Sequence, residues 1–209
     1  MEIIKQLKWR YATKKFDNDK LVSNAKIKKL SQAFNLTATS FGLQPLKLII
    51  ANNKQLQQEL VKHSMNQEQV AQASHILIFC IETDIDTSYV EAYFKRIKSI
   101  RNTPDEILKP FKDYLIEDFE KQTQKEIEDW ATKQAYLAMG NLLTVCAIEE
   151  IDSCPMEGFD PEQYDEIFNL KEKGLKSVLV MPIGYRAEDD MFADFKKVRK
   201  DLKDSVILM

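Results

Sequence analysis

The stretch Ile127–Glu149, IEDWATKQAYLAMGNLLTVCAIE, decides how the rest of the chain is read. It opens with one apolar face and becomes apolar nearly all round through Leu137, Met139, Leu142, Leu143, Val145 and Ile148. A helix with that pattern is buried on several sides, so it is expected to be the central helix of the core or of a dimer interface. Three short apolar runs stand around it as sheet candidates: Leu46 to Ala51, His75 to Ile81 and Val178 to Ile183. Ser23 can cap an early helix with a buried stripe of Ile27, Leu30, Ala33 and Phe34, ending near Leu36. Thr103-Pro104-Asp105-Glu106 reads as a capping box with proline at the first helical position, and Asp160-Pro161-Glu162-Gln163 opens a short helix ending before Gly174. The order helix, strand, helices, strand, helices, strand predicts a mixed α/β or α+β domain.

With 209 residues, 44% hydrophobic and 30% charged, the chain fits one domain, residues 1–209, better than two. A net charge of -3 gives no basic surplus of the kind that drives non-specific nucleic-acid binding, so any anion site must be local. Cys80, Cys146 and Cys154 are odd in number and never spaced C-x-x-C, which argues against a disulfide framework or a zinc knuckle and for a reducing compartment. Residues 1–10 resemble neither a secretory signal nor a membrane span, and the expectation is a soluble cytoplasmic protein with no membrane partner.

His63 and His75 are the only histidines and no G-x-S-x-G is present, which disfavours triad hydrolysis; both read as edge or surface histidines. The five glycines are too scattered for G-x-G-x-x-G or G-x-x-x-x-G-K-[ST]. What remains is a set of cations at opposite ends of the chain, Arg10 and Lys14 near the start and Lys197 and Arg199 near the end. A phosphomonoester site wants Arg forks and Lys point charges converging from different segments, although composition alone reads these as solvated charges on a loop and a tail.

Four segments in order resemble the FMN-dependent nitroreductases, particularly the oxygen-insensitive nitroreductase and dihydropteridine reductase branch. Arg10-Tyr11-Ala12-Thr13-Lys14 resembles the R-x-S-T-K loop, and Thr39-Ser40-Phe41-Gly42-Leu43-Gln44-Pro45 resembles S-S-x-N-x-Q-P. Pro155-Met156-Glu157-Gly158-Phe159 resembles P-[IM]-E-G-F, and Lys197-Val198-Arg199 resembles the K-x-R tail. Asn66, and Leu170 to Gly174, add support. The resemblance implies an α+β fold with a central mixed β-sheet flanked by helices, in an intertwined homodimer.

Carried over by position, it implies that Arg10, Lys197 and Arg199 hold the FMN phosphate and that Lys14 and Asn66 meet the pyrimidine edge of the ring. Tyr11 and Ala12 belong to the same cofactor-binding loop. Thr39, Ser40 and Gly42 would reach the flavin from the second subunit. Pro155, Met156, Glu157 and Gly158 would lie along it, with the Glu157 backbone N–H near N5. No side chain is required as a catalytic residue. The chain departs from the pattern at Ala12, where Ser is common, at Gly42, where Asn is common, and at Gln69, where some members have Lys.

The implied reaction is a ping-pong hydride transfer from NADH or NADPH, through the flavin, to nitroaromatic, quinone or pteridine-type acceptors. The rivals are a same-fold flavoenzyme with another reaction, such as dehalogenation or ring oxidation, and a non-catalytic phospho-ligand or nucleic-acid binder using the Lys196 to Lys200 tail. Cys154, without a cationic neighbour in sequence, reads as packing, as do Trp130, Tyr136 and Met139. Among the aromatics from Tyr89 to Phe119, the residues Tyr93, Phe94, Phe111, Tyr114 and Phe119 are candidates for a substrate lid.

Overall fold

The computed structural model describes residues 2–209. Helices α1 (Ile3–Trp9) and α2 (Asn24–Asn35) lead to strand β1 (Leu46–Ala51), helices α3 (Lys54–Val61) and α4 (Gln69–Gln72), and strand β2 (His75–Glu82). Helices α5 (Thr87–Arg101), α6 (Asp105–Lys121) and α7 (Gln124–Ile148) follow in a row. Then come β3 (Asp152–Ser153), α8 (Pro161–Ile167), β4 (Leu175–Gly184) and the short α9 (Leu202–Ser205).

The four strands pair in the order β1-β2-β4-β3, and every strand pair is antiparallel. The expected mixed sheet is corrected to that extent. The parallel contact among the described residues is an isolated bridge, Ala12 to Ser153, because the N-terminal loop meets β3 at one point without extending into a strand. The register sets Leu48 opposite Phe79 and Ile78 opposite Val180. Alternation along β2 sends Leu77, Phe79 and Ile81 into one apolar cluster and Ile76, Ile78 and Cys80 into another, so both faces of the sheet are covered. That double burial is why β2 reads as a continuous apolar run.

Helix α7 forms the floor of the first cluster through Ala131, Ala135, Ala138, Leu142 and Cys146, all fully buried. Small residues let it lie close against β2 and β4, while Tyr136 and Leu137 on its outer face stay exposed. It starts at Gln124, three residues before the sequence reading, because Thr123 and Glu126 form a complete capping box. The box expected at Thr103 is absent: Pro104 is the N-cap of α6, extended at φ -60° and ψ 147°, and gives no side-chain bond. By contrast Ser23 and Asp160 cap α2 and α8 as expected.

His75 is also corrected. It stands at the start of a central strand and is buried, with Nδ1 2.8 Å from the Ser74 hydroxyl, which accepts the Val22 N–H. Among the described residues, no helix is long and apolar enough to cross a membrane.

Candidate functional site

The basic loop between α1 and α2 is held by hydrogen bonds that use its backbone. Ala12 bridges Ser153, and the Thr13 N–H donates to the Ser153 carbonyl at 3.3 Å. Buried Asp190 accepts from the Tyr11 hydroxyl at 2.8 Å and from the Lys14 and Lys15 N–H groups at 3.0 and 3.2 Å. With the backbone so engaged, the Lys14 side chain is free to reach toward Cys154, where Nζ stops 3.9 Å from Sγ.

From the other end of the chain, Lys197 Nζ donates to the Arg10 carbonyl. Arg10, Lys197 and Arg199 therefore share one corner. Burial and the charge of Arg199 lower the pKa of Arg10; burial, Arg10 and Arg199 lower that of Lys197. Three cations that raise one another's energy, with Arg10 Nε buried and lacking an acceptor among the described residues, make a corner that an anion would stabilise. The cations at the two chain ends, which composition alone reads as solvated, are brought together.

Beside this corner runs the segment Pro155–Gly158. The N–H groups of Cys154 and Met156 donate to Pro182 and Val180 of β4 at 3.0 and 2.8 Å. Alternation turns the next backbone donors the other way. Pro155 has none, and the Glu157 N–H finds no acceptor among the described residues. The segment borders a groove of about 500 Å³ lined also by Tyr136, Met139, Gly140, Leu143 and Leu179. Tyr136 donates its hydroxyl to Glu157 Oε1 at 2.6 Å, and Met139 is buried beneath, so two residues read as packing also shape the groove.

The turn before β2 supplies the facing edge. Asn66 is exposed in left-handed geometry at φ 55°, following Met65 at φ 53°. Gln69 is buried; its Nε2 donates to Gln67 Oε1 at 2.9 Å, and Gln67 Nε2 donates in turn to the Gly158 carbonyl at 3.0 Å. A side chain at position 158 would put its Cβ 3.0 Å from Gln67 Nε2 and 3.2 Å from Met65 Sδ, so glycine keeps this approach open. Cys154 has cationic neighbours in space that sequence did not show. Burial nevertheless pushes its thiol pKa up, against the opposing pull of Lys14.

Thr39, Ser40 and Gly42 are not brought to this corner. The Ser40 N–H donates to Gln134 Oε1 at 2.8 Å, on the buried side of α7, whereas Tyr136 meets Glu157 from the exposed side. Two residues along a helix turn about 200°, so the two segments flank α7 on opposite faces. Thr39 lines a separate cavity with Phe34, Leu43, Tyr89 and Tyr93. Gly42 sits at φ +73°, where a Cβ would lie 2.5 Å from the Tyr93 hydroxyl, which is a reason for glycine here.

Of the lid candidates, Phe94 and Phe119 are core residues and Tyr93 is half-buried. Phe111 and Tyr114 are exposed and stack at 6.3 Å, and Phe111 meets Phe41 edge-on at 6.3 Å. Trp130 packs on Phe119 and Phe41 as expected of a packing residue. Sequence reasoning missed Asp190, Gln67 and the Asp152–Arg186 ion pair, in which Asp152 Oδ1 accepts from Arg186 Nε at 2.9 Å. The available signal was Asp190 itself, an N-cap residue of the 3₁₀ turn Met191–Asp194.

An antiparallel sheet covered on both faces, with cations from both chain ends gathered at one corner, defines an α+β protein with a candidate anion-binding site. The nitroreductase family model matches residues 7–185, and the chain belongs to that family. It is 34% identical over 206 residues to the protein YfkO of Bacillus subtilis (strain 168), with 90% of each chain covered. It is 31% identical over 214 residues to the major NAD(P)H-flavin oxidoreductase of Aliivibrio fischeri, covering 99% of this chain and 98% of the other. A solved Exiguobacterium sibiricum protein in complex with FMN has the same fold, with a TM-score of 0.86, 17% identity, and 100% and 98% of the two chains covered.

Proposed function

We propose that this chain is an FMN-dependent NAD(P)H oxidoreductase that acts on small planar electron acceptors. One observation carries the reading: Arg10, Lys197 and Arg199 converge from both chain ends on a corner where, among the described residues, buried Arg10 Nε has no acceptor and the nearby Glu157 N–H, at the border of the groove, has none either. Those residues fit a phosphorylated flavin. Arg10, Lys197 and Arg199 hold the phosphate. Lys14, Asn66 and Gln69 would meet the pyrimidine edge, Lys14 bringing a positive charge and Gln69 a neutral donor. Pro155, Met156, Glu157 and Gly158 would line the ring, with the Glu157 N–H left to donate to it. Tyr11 and Ala12 shape the loop that carries Arg10 and Lys14.

When bound, FMN supplies a two-electron carrier able to accept hydride from NADH or NADPH and to deliver it to an acceptor. The protein's part is orientation and electrostatics, with no side-chain nucleophile. Backbone donors and Lys14 favour the negative charge that accumulates at reduction. Nitroaromatics, quinones and pteridine-type compounds suit a flat apolar groove.

The placement of Thr39, Ser40 and Gly42 away from the corner supports a homodimer in which this segment completes the partner's site. The exposed Ile3, Ile4 and Leu7 of α1 and the apolar outer face of α7 are consistent with such an interface. Residues 1–209 act as one domain, and three free cysteines suit a cytoplasmic setting. Neither a membrane nor nucleic acid belongs among the partners, and Lys197 of the basic tail is turned inward onto Arg10.

The test is the visible spectrum of the purified protein, followed by anaerobic addition of NADH or NADPH and identification of the released cofactor. Yellow protein that bleaches and releases FMN supports the reading. Colourless protein that takes up no added FMN overturns it and favours a binding module.

A further inference from the structure

Asp190 is buried, with 4% of its surface exposed, and both carboxylate oxygens are used. Oδ2 accepts from the Tyr11 hydroxyl and from the Lys14 and Lys15 N–H groups, while Oδ1 accepts from the Phe192 N–H at 3.2 Å. The three donors to Oδ2 all belong to the loop that carries Arg10 and Lys14, more than 170 residues away in sequence. Ala187 reinforces the same junction, its N–H donating to the Lys15 carbonyl at 3.0 Å.

Tyr11 is gripped from its other side as well. The Arg186 guanidinium lies 4.6 Å from the Tyr11 ring centre and 4.4 Å from that of Trp9, and Asp152 anchors the guanidinium. A continuous series of contacts thus runs from β3 through Asp152, Arg186, Tyr11 and Asp190 to the backbone of Lys14 and Lys15. Two consecutive N–H groups converging on one oxygen fix the local backbone and leave the Lys14 side chain on the side facing Cys154. The carboxylate thus holds the loop through its backbone, while the Lys15 side chain pairs with Asp189 and the Lys14 side chain turns to Cys154.

We propose that Asp190 is the positioning residue of the FMN site, holding the Arg10–Lys14 loop in its binding form, with the Tyr11 hydroxyl as the contact that latches it. The inference rests on the FMN reading and deepens it. Asp190 acts through the loop, and the Tyr11 hydroxyl donates to it at 2.8 Å. Asn at position 190 offers one acceptor oxygen where two are used and presents an amide donor to either the loop or Phe192, so the loop loses its frame.

The experiment uses apo-protein titrated with FMN and, separately, with riboflavin, read by flavin fluorescence. It compares wild type, Tyr11→Phe and Asp190→Asn, with thermal melts of each apo-protein. Tyr11→Phe keeps the ring on Arg186 and removes the latch alone. It is expected to weaken FMN binding by about threefold to tenfold, and Asp190→Asn by more than about tenfold, as for loss of a hydrogen bond to a charged group. Riboflavin binding should weaken less, because Arg10 serves the phosphate, so the preference for FMN over riboflavin shrinks. A purely stabilising role would lower the melting temperature and leave that preference unchanged, and this result in folded Tyr11→Phe overturns the proposal even if Asp190→Asn does not fold. Wild-type apo-protein that takes up no FMN would instead overturn the cofactor reading, and the inference with it.

Discussion

His75 and Ser74 show how a single buried pair sets a pH response. The Ser74 hydroxyl accepts the Val22 N–H at 2.8 Å and lies 2.8 Å from His75 Nδ1, so the ring is enclosed at the head of a buried strand with one hydroxyl as its partner. Burial, aided by Lys54, lowers the His75 pKa from its ordinary 6.5. Between the native and unfolded values the unfolded chain binds more protons. Stability is therefore complete above about pH 6.5 and is lost as the pH falls toward the native value. Urea midpoints should drop between pH 7.5 and 5.5 in the wild type and drop less in His75→Gln; equal slopes would show that His75 does not set this dependence. A second residue-scale prediction concerns Gln69, a neutral donor within reach of Cys154. Gln69→Lys adds a cation near the pyrimidine edge and should raise the flavin reduction potential in a redox titration, since positive charge there favours the reduced anion. Neither partner of His75 nor the depth of Gln69 was legible in sequence, because burial is a property of the packed chain.

Helix α7 is the element that most of the fold depends on. Its small and aliphatic inner face lies against β2 and β4, and Leu142 is fully buried there. Leu142→Ala should cost about 2–5 kcal/mol in urea unfolding with an unchanged m value, the range for a cavity that cannot collapse. The helix itself was legible from its apolar pattern, as were β1 and the Ser23 cap, whose bounds match the structure. Thr103 misled because a capping box needs Thr extended immediately before the first helical residue, and Pro104 occupies that place. Thr123 satisfies the same rule three residues ahead of Glu126. Local signals locate a helix well and choose poorly between adjacent caps, since the choice depends on backbone angles that neighbouring packing helps set.

At the scale of the molecule, the Arg10 corner and the 39–42 segment lie on opposite sides of α7, so the proposed homodimer makes a prediction about mixed chains. In a mixture of Arg10→Ala chains with chains altered at Thr39 and Ser40, each heterodimer should carry one intact site, formed by the unaltered Arg10 and the unaltered 39–42 segment. FMN binding regained on mixing two inactive variants is the expected result; no recovery despite demonstrated subunit exchange would place the site within a single chain. Some of this was decided by sequence alone. Hydrophobic periodicity set the helices and strands, and the absence of triad, Rossmann and P-loop patterns narrowed the chemistry, because these depend on residue type and short spacing. The motif order implied the family, which the comparisons then established. Only the tertiary structure decided that the sheet is antiparallel, that Lys197 reaches Arg10, that Tyr136 and Gln67 brace Glu157 and Gly158, and that Asp190 gathers the N-terminal loop. Those contacts join residues as many as 187 positions apart, and they arise from packing both faces of one sheet, which no local pattern encodes.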